Sequence, residues 1–492
     1  TPRYERQTRH IHSWSGIFMF RSETPSDRLF APLKRAFRQF LALPLLVVIG
    51  FILLGVVIYG ADDAWSRGGV PPGFGWLGDI LGDSEALNTL LSTVASSIIT
   101  VTSITFSLLL IALQQGASTL TTHVTDQFLM RRMNQFYFGF FVGLSIYVLQ
   151  TLVTVSDTHR PIFGTSVALL LTIIALCLIV VMIYNTIDQM RPTQIVRAIH
   201  AHILDGRSIE MEFLARTRRT PRPDFVAAGT LRSRETGHVA AFEIAPLQKL
   251  ISDEFSGRVE VELNTRIGSY IAQHDPLAVL RVCGGTTLDK SATQKLNDAM
   301  FAAIVIDNER DLSEDPRYGI YQLSTIAWTA ISTAKSNPSP GRDVVNAIRD
   351  ILARWSAQTR EVKEDPDSAF VYADNTPMEA INVLETAILV ASESMQAQTL
   401  TDALHTITML LEEAPQPWAE RLADVVRRAL SSLGDHVLTR DLERALLDLE
   451  RGLRKRGFAE TAHAVATAIA QFALSLGHIN SRATRVAVAH GA

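Results

Sequence analysis

The chain has 492 residues, 47% of them hydrophobic and 20% charged, with a formal net charge of -4 at pH 7. No strongly basic balance is available to release counterions from phosphates, so nucleic acid is not expected as a partner. Two cysteines, Cys177 and Cys283, exclude a disulfide framework or a cysteine-rich metal site, and the mean hydropathy of +0.16 averages two unlike parts, because nearly all the excess apolarity lies in residues 41–187.

Residues 1–40 form a polar leader, too long ahead of the first apolar run for a secretory signal peptide, and point to an anchor that is retained. Within it Leu29, Phe30, Leu33, Phe37 and Phe40 recur near helical spacing between Arg28, Lys34, Arg35 and Arg38. The pattern suits an amphipathic helix in the headgroup layer, or a plain extension of the first span. A helix needs about 20 mainly apolar residues to cross the hydrocarbon core, and four segments qualify: 41–60, 87–113, 136–155 and 164–184. Each satisfies its backbone polar groups internally.

Orientation follows from the retention of Lys and Arg on the cytoplasmic side. Arg3, Arg6, Arg9, Arg21, Arg28, Lys34, Arg35 and Arg38 precede the first span, Arg131 and Arg132 follow the second, and Arg191 and Arg197 follow the fourth. The first connection instead carries Asp62, Asp63, Asp79, Asp83 and Glu85 against Arg67, and the third carries only Arg160. Both ends are therefore expected in the cytoplasm. Trp65 and Trp76, beside the turn-forming run PPGFG, fit an interfacial aromatic belt in the outer loop.

The second span is dense in hydroxyls. At about 100° per residue Ser92, Thr93, Ser96, Ser97, Thr100, Ser103 and Ser107 fall in one arc of roughly 140°, which Gln114 extends, while Thr102 and Thr105 fall outside it. Such a face can line a water-filled path in which hydroxyls replace part of an ion's hydration. It can also serve helix packing, where small residues allow close approach and Ser or Thr hydroxyls bond a neighbouring helix or their own i-4 carbonyl. Four helices leave little room for a wide path in one subunit, so a pore would form on the axis of a homo-oligomer. In the polar elbow after this span, His123 is a candidate gating or pH-sensing group because its titration lies near neutrality; the alternative is a solvated histidine without a role.

Residues 188–240 read as a helix followed by a linker, RTRRTPRPD at 216–224. His200 and His202 are two apart, about 200° on a helix, which speaks against a shared metal and for solvated histidines. Residues 241–290 read as a small β unit: Val259, Val261 and Leu263 alternate with Arg258, Glu260 and Glu262 as in a half-buried strand, and CGG closes the unit. From 291 to 492 the spacing is helical, with helices expected at 291–305, 320–333, 342–356, 378–412, 417–433, 440–456 and 459–476, packed as antiparallel pairs. No P-loop, HExxH, GxSxG, paired CxxC or Rossmann fingerprint occurs. Glu309, Asp311, Glu314 and Asp315 cluster with Arg310 and Arg317, either as a site or as surface ion pairs.

Four stretches together carry a resemblance: GDSEALNTLLSTVASSIITVTSITFSLLLIAL (82–113), RRMNQFYFGFFVGLSIYVLQTL (131–152), GSYIAQHDPLA (268–278) and NERDLSEDPRYGIYQLSTIAWTAIS (308–332) followed by NPSP (337–340). Between about residue 40 and about residue 355 the chain resembles the bacterial inner-membrane family known as domain of unknown function 2254. The resemblance implies four spans and a cytoplasmic domain, and brings no established activity. Where members usually show Ser-Pro-Arg after the second span this chain has Thr121, Thr122 and His123, and where they show Asn-Asp-Pro it has Ser336, Asn337 and Pro338. The stretch around Gly268 is also similar to lipoyl-like β units, but no lysine stands where the modified hairpin would carry it, so no swinging cofactor is implied.

The expected fold is a membrane α-helical domain of four transmembrane helices plus a mainly α cytoplasmic domain containing a small β unit. The expected function is an oligomeric inner-membrane channel or channel-like conductance for an inorganic ion, with Ser92, Thr93, Ser96, Ser97, Thr100, Ser103, Ser107 and Gln114 lining the pore. The alternative is a membrane-anchored sensor or scaffold that binds a cytoplasmic protein. No enzyme activity, catalytic residue, metal or cofactor is expected, and the partners are the lipid bilayer and further copies of the chain.

Overall fold

A computed structural model describes residues 41–475 except 69–83, 120–131, 157–158, 190, 256, 285–288, 309, 311–314, 333–336 and 360–364. The leader 1–40 and His123 lie outside the described residues. The chain divides into two compact units, Thr1–Leu109 with Asp126–Tyr184, and Leu110–Thr125 with Asn185–Ala492.

The first unit holds the spans, α1 (Ala42–Gly68), α2 (Ser84–Thr119), α3 (Arg132–Thr154) and α4 (Ile162–Gln189). Four stretches within them, Ala42–Ala64, Ser84–Ser107, Arg132–Thr154 and Ile162–Asp188, are long and apolar enough to cross a membrane. Pro44 is tolerated in the first turn of α1, where an N–H has no intrahelical acceptor. Glycines let α1 and α3 approach closely: a Cβ on Gly139 would stand 2.9 Å from the Pro44 backbone, and one on Gly143 would stand 2.4 Å from the Phe51 ring. This is the small-residue packing that replaces the hydrophobic effect between helices in lipid. Phe51 and Phe140 meet edge to face with centroids 5.4 Å apart beside this contact.

The apolar run marked α1 as ending near Gly60, but the helix continues to Gly68 and carries Asp62 and Asp63 in its last turns. Asp62 is 4% exposed. Its two carboxylate oxygens accept the N–H groups of Phe163 and Gly164, each at 2.9 Å, which satisfies orphan donors in the first turn of α4.

The second unit opens with α5 (Pro192–Leu214) and continues through β1 (Phe225–Arg232), β2 (Gly237–Phe242), α6 (Ile244–Phe255), β3 (Val259–Leu263), β4 (Tyr270–Ile271), β5 (Pro276–Cys283), α7 (Lys290–Ala303) and β6 (Ile304–Asp307). The strands form two sheets, β1-β5-β3-β7 and β4-β2-β6, where β7 is Phe370–Val371. The β unit is therefore wider than 241–290, because β1 and β2 lie in the stretch read as helix and linker and β7 arrives from about a hundred residues downstream to pair in parallel with β3. The run 216–224 is no free linker: Arg218 N–H donates to the Phe370 carbonyl at 2.9 Å and its carbonyl accepts from Tyr372 N–H at 2.8 Å. Strand β3 also departs from simple alternation. Glu260 is fully buried, held by the Arg218 guanidinium at 2.7 Å, since chain covers both faces of the sheet there.

The helical remainder comprises α8 (Pro316–Ser332), α9 (Ser339–Thr359), α10 (Thr376–Glu393), α11 (Ala397–Glu413), α12 (Gln416–Ala429), α13 (Arg440–Lys455) and α14 (Ala459–Ser475). The single helix expected at 378–412 is two, broken where Met395 takes a left-handed φ of 56°. One apolar core runs from α5 to α14, built on residues such as Ile203, Leu323, Trp355, Leu384, Leu404 and Leu446.

Candidate functional site

Helix α2 has two opposed faces. Leu87, Leu91, Ala95, Ile98 and Thr105 are buried, and at about 100° per residue they centre about 180° from the hydroxyl arc. Ser92, Thr93, Ser96, Ser97, Thr100, Ser103 and Ser107 are all exposed, as is Gln114. The chain thus buries the apolar side of this helix against itself and turns the hydroxyl side outward. Phe106 meets Phe138 of α3 at 4.5 Å between ring centroids.

Among the described residues these hydroxyls bond within their own helix. Thr93 donates to the Thr89 carbonyl at 2.7 Å, Ser96 to Ser92 at 2.9 Å, Ser97 to Thr93 at 2.7 Å, Thr100 to Ser96 at 2.7 Å and Ser107 to Ser103 at 3.1 Å. Ser92 makes the same contact to Asn88. Each proton is directed back along the helix, so the oxygen lone pairs are what the outward face presents. That face is uncharged and rich in acceptors over about 22 Å, from the 1.5 Å rise per residue between Ser92 and Ser107. Thr102 donates to the Ile98 carbonyl at 2.7 Å from the flank of the helix, outside the arc.

The membrane unit has a second polar feature that apolar run lengths do not mark. A cavity of about 230 Å³ is lined by Gly55, Tyr59, Asp62, Gln150, Thr151 and Gly164, among others. Gln150 Oε1 is buried without a donor and sits where a Cβ on Gly55 would fall, at 2.4 Å. The apolar run stops two residues before Asp62, so composition alone puts it in the connection, and the helix that carries it extends to Gly68.

In the second unit the stretches 268–278 and 308–332 come together. Arg317 grips Glu379 through Nε and Nη2 at 2.8 and 2.6 Å, and its Nη1 donates to the Ile267 carbonyl at 3.1 Å. Arg310 pairs with Asp315 at 2.6 Å and lies over the Tyr318 ring at 4.6 Å. Gly268 has φ 81°, and a Cβ there would fall 2.0 Å from Asp315 Oδ2. These charges are spent on one another and on the backbone, which is the ion-pair alternative for this cluster; Glu309, Asp311 and Glu314 lie outside the described residues. His200 bonds Asp350 at 2.8 Å and is not paired with His202. Among the described residues no group of three or more His, Cys, Asp or Glu side chains could hold a metal ion.

A deeper charge cluster joins α5 to the segment before α10. Arg207, 1% exposed, donates to Glu210 at 2.5 Å and to both oxygens of Asp374 at 3.0 and 2.5 Å, with its guanidinium 4.9 Å from the Trp355 ring centroid. Thr376 donates to the other Glu210 oxygen at 2.7 Å. Burial pushes the Glu210 carboxyl above its ordinary range, against the pull of the Arg207 charge.

Neither a curated protein nor a solved structure matches the chain. The family model described as predicted membrane protein (DUF2254) matches residues 38–394, from the start of the first span to the end of α10. The chain therefore belongs to the DUF2254 family of predicted membrane proteins.

Proposed function

We propose that this membrane protein is an oligomeric channel or channel-like conductance of a bacterial inner membrane, with α2 of each copy facing a shared axis. One observation carries the proposal: the seven Ser and Thr residues of the α2 arc, Ser92 to Ser107, are exposed on the chain, opposite a buried apolar stripe. A lipid-facing helix gains nothing from this arrangement, since lipid rewards apolar contact on the outer side. Adjoining copies would turn the face inward, toward water.

The direction of the hydroxyl protons supports an inorganic cation as the permeant class. The hydroxyls of Ser92, Thr93, Ser96, Ser97, Thr100 and Ser107 are engaged by carbonyls of their own helix, so lone pairs meet the ion, as in filters built from oxygen dipoles. The absence of charge along Ser92 to Ser107 leaves no fixed partner to trap a cation. The basic flanks of the spans support a cytoplasmic side for the leader and the second unit, and in this reading the second unit gates or assembles the oligomer.

The test is ion flux into liposomes containing the purified protein, compared with a variant carrying Ser96→Leu, Thr100→Leu, Ser103→Leu and Ser107→Leu. Cation flux that is present in the native protein and lost in a folded variant is the expected result. No flux under any voltage, pH or tension would overturn it in favour of a membrane-anchored sensor or scaffold.

A further inference from the structure

The second unit carries a pocket of about 290 Å³ where α9, α10, the end of α11 and the start of α12 meet. That size lies at the lower end of small-molecule sites, about 300 Å³. Its floor is apolar: Leu352, Ile381, Leu410, Trp418 and Leu422 line it, none of them more than 7% exposed. Three charged residues, Arg349, Glu412 and Glu413, line it as well.

The packing of α9 on α11 leaves Arg349 without a counter-ion. Contacts between these helices recur about every two turns: Arg342 pairs with Asp402, Arg349 reaches Met409, and Ser356 donates to the Glu413 carbonyl at 3.0 Å. At the middle position a thioether stands where the first has a carboxylate. Among the described residues the Met409 sulfur, at 3.3 Å, is the one partner of the Arg349 guanidinium, and a thioether is a weak acceptor. The other two arginines of α9, Arg342 and Arg354, each hold an aspartate. The free fork of Arg349 is therefore available to a carboxylate, which it matches in shape and charge. Glu412 and Glu413 follow Met409 by three and four residues, on the same side of α11, and the last carbonyls of that helix add partial negative charge. A plain anion would be repelled there, but a ligand that also carries an ammonium group meets a counter-charge for each of its own.

We infer that this pocket binds a free α-amino acid with an apolar side chain. The carboxylate lies on Arg349, the ammonium faces Glu412 and Glu413, and the side chain covers the floor formed by Leu352, Ile381 and Trp418. Burial of that side chain supplies affinity, and the two charged ends fix its orientation. Every residue of the site belongs to one chain, so binding depends neither on ion conduction nor on the number of copies.

The experiment is calorimetric titration of the purified full chain in detergent with leucine and phenylalanine. Three further probes each lack one feature: isocaproate has no ammonium, isoamylamine has no carboxylate, and glycine has no side chain. Leucine or phenylalanine is expected to bind, and each of the three trimmed probes to bind at least about tenfold more weakly, a difference of about 1.4 kcal/mol. Arg349→Met and Glu412→Gln are expected to weaken leucine by a similar factor. Ala353→Phe, at an exposed position on the pocket wall, is expected to abolish binding by filling the space, and its exposure keeps the substitution out of the core. Thermal unfolding without ligand shows that each variant folds. No binding of either amino acid up to about 10 mM would overturn the inference. So would leucine binding unchanged in Arg349→Met or in Ala353→Phe, which places the ligand elsewhere, and so would isocaproate binding as tightly as leucine, which removes the role of the glutamates.

Discussion

Replacing Arg207 by Met removes the cation that pairs with both Glu210 and Asp374, whose side chains are 2% and 16% exposed. The side chain volume is nearly conserved, so the loss is electrostatic: three charge-assisted hydrogen bonds disappear and two carboxyl groups stay in place without their counter-ion. Removing one partner of a buried ion pair costs about 3–5 kcal/mol, and a large domain shifts its midpoint by about 2–4 °C per kcal/mol. The expected fall in Tm is therefore about 6–20 °C at pH 8, against almost none for Arg454→Met, whose side chain is 66% exposed and whose pair is of the surface kind.

The pH dependence has a definite sign. The folded Glu210 carboxyl lies above its ordinary value because burial disfavours its charge, and the Arg207 cation opposes that rise. A group whose pKa is raised in the folded state contributes stability that is full below its ordinary pKa and lost as pH rises through the folded value. Without Arg207 the rise is larger, so the deficit of the variant should widen from about pH 5 to about pH 8. Thermal unfolding of the purified full chain, followed by circular dichroism at each pH, reads both effects. A variant within about 2 °C of the native protein at pH 8, or a deficit that narrows with rising pH, would refute the reasoning. Adding Glu210→Gln and Asp374→Asn to Arg207→Met should recover part of the loss, since no buried charge then lacks its partner.

Gly143→Leu drives a side chain into the Phe51 ring, where even a Cβ would come within 2.4 Å; overpacking of about 1–3 kcal/mol should lower the Tm of the membrane unit and speed proteolysis between α1 and α3. Gly268→Ala imposes a Cβ on a left-handed φ of 81° and places it 2.0 Å from Asp315 Oδ2, so a loss of about 1–3 kcal/mol with rupture of the Arg310–Asp315 pair is expected in denaturant titrations. The Asp350 carboxyl is held below its ordinary range: burial opposes ionisation, but the Arg354 and His200 hydrogen bonds outweigh it. Its stabilisation is present above the ordinary Asp range and lost as pH falls through the folded value, and Asp350→Asn should abolish that acid-side component of the Tm-against-pH curve.

Much of this molecule is written locally. Uncharged apolar runs of helix-spanning length determine four membrane helices, because in hydrocarbon each segment has to satisfy its own backbone whatever its neighbours do. The polar arc of α2 is likewise a property of its own sequence, since a helix converts spacing directly into direction. Other features depended on residues far apart in the chain. Asp62 is buried with its charge paired because the N-terminus of α4 offers it two donors a hundred residues away, and Glu260 became a buried residue because Arg218 and β7 close the far side of its sheet. The break at Met395 replaced one helix by two although the apolar spacing runs through it, since packing of α10 and α11 against the common core rewards a turn there. Direction along α2 was settled by its sequence, but which side is covered was settled by tertiary packing: Leu87, Leu91, Ala95 and Ile98 are buried and the hydroxyls are left outside, because burying methyl groups is favourable and burying hydroxyls already bonded to their own helix adds little.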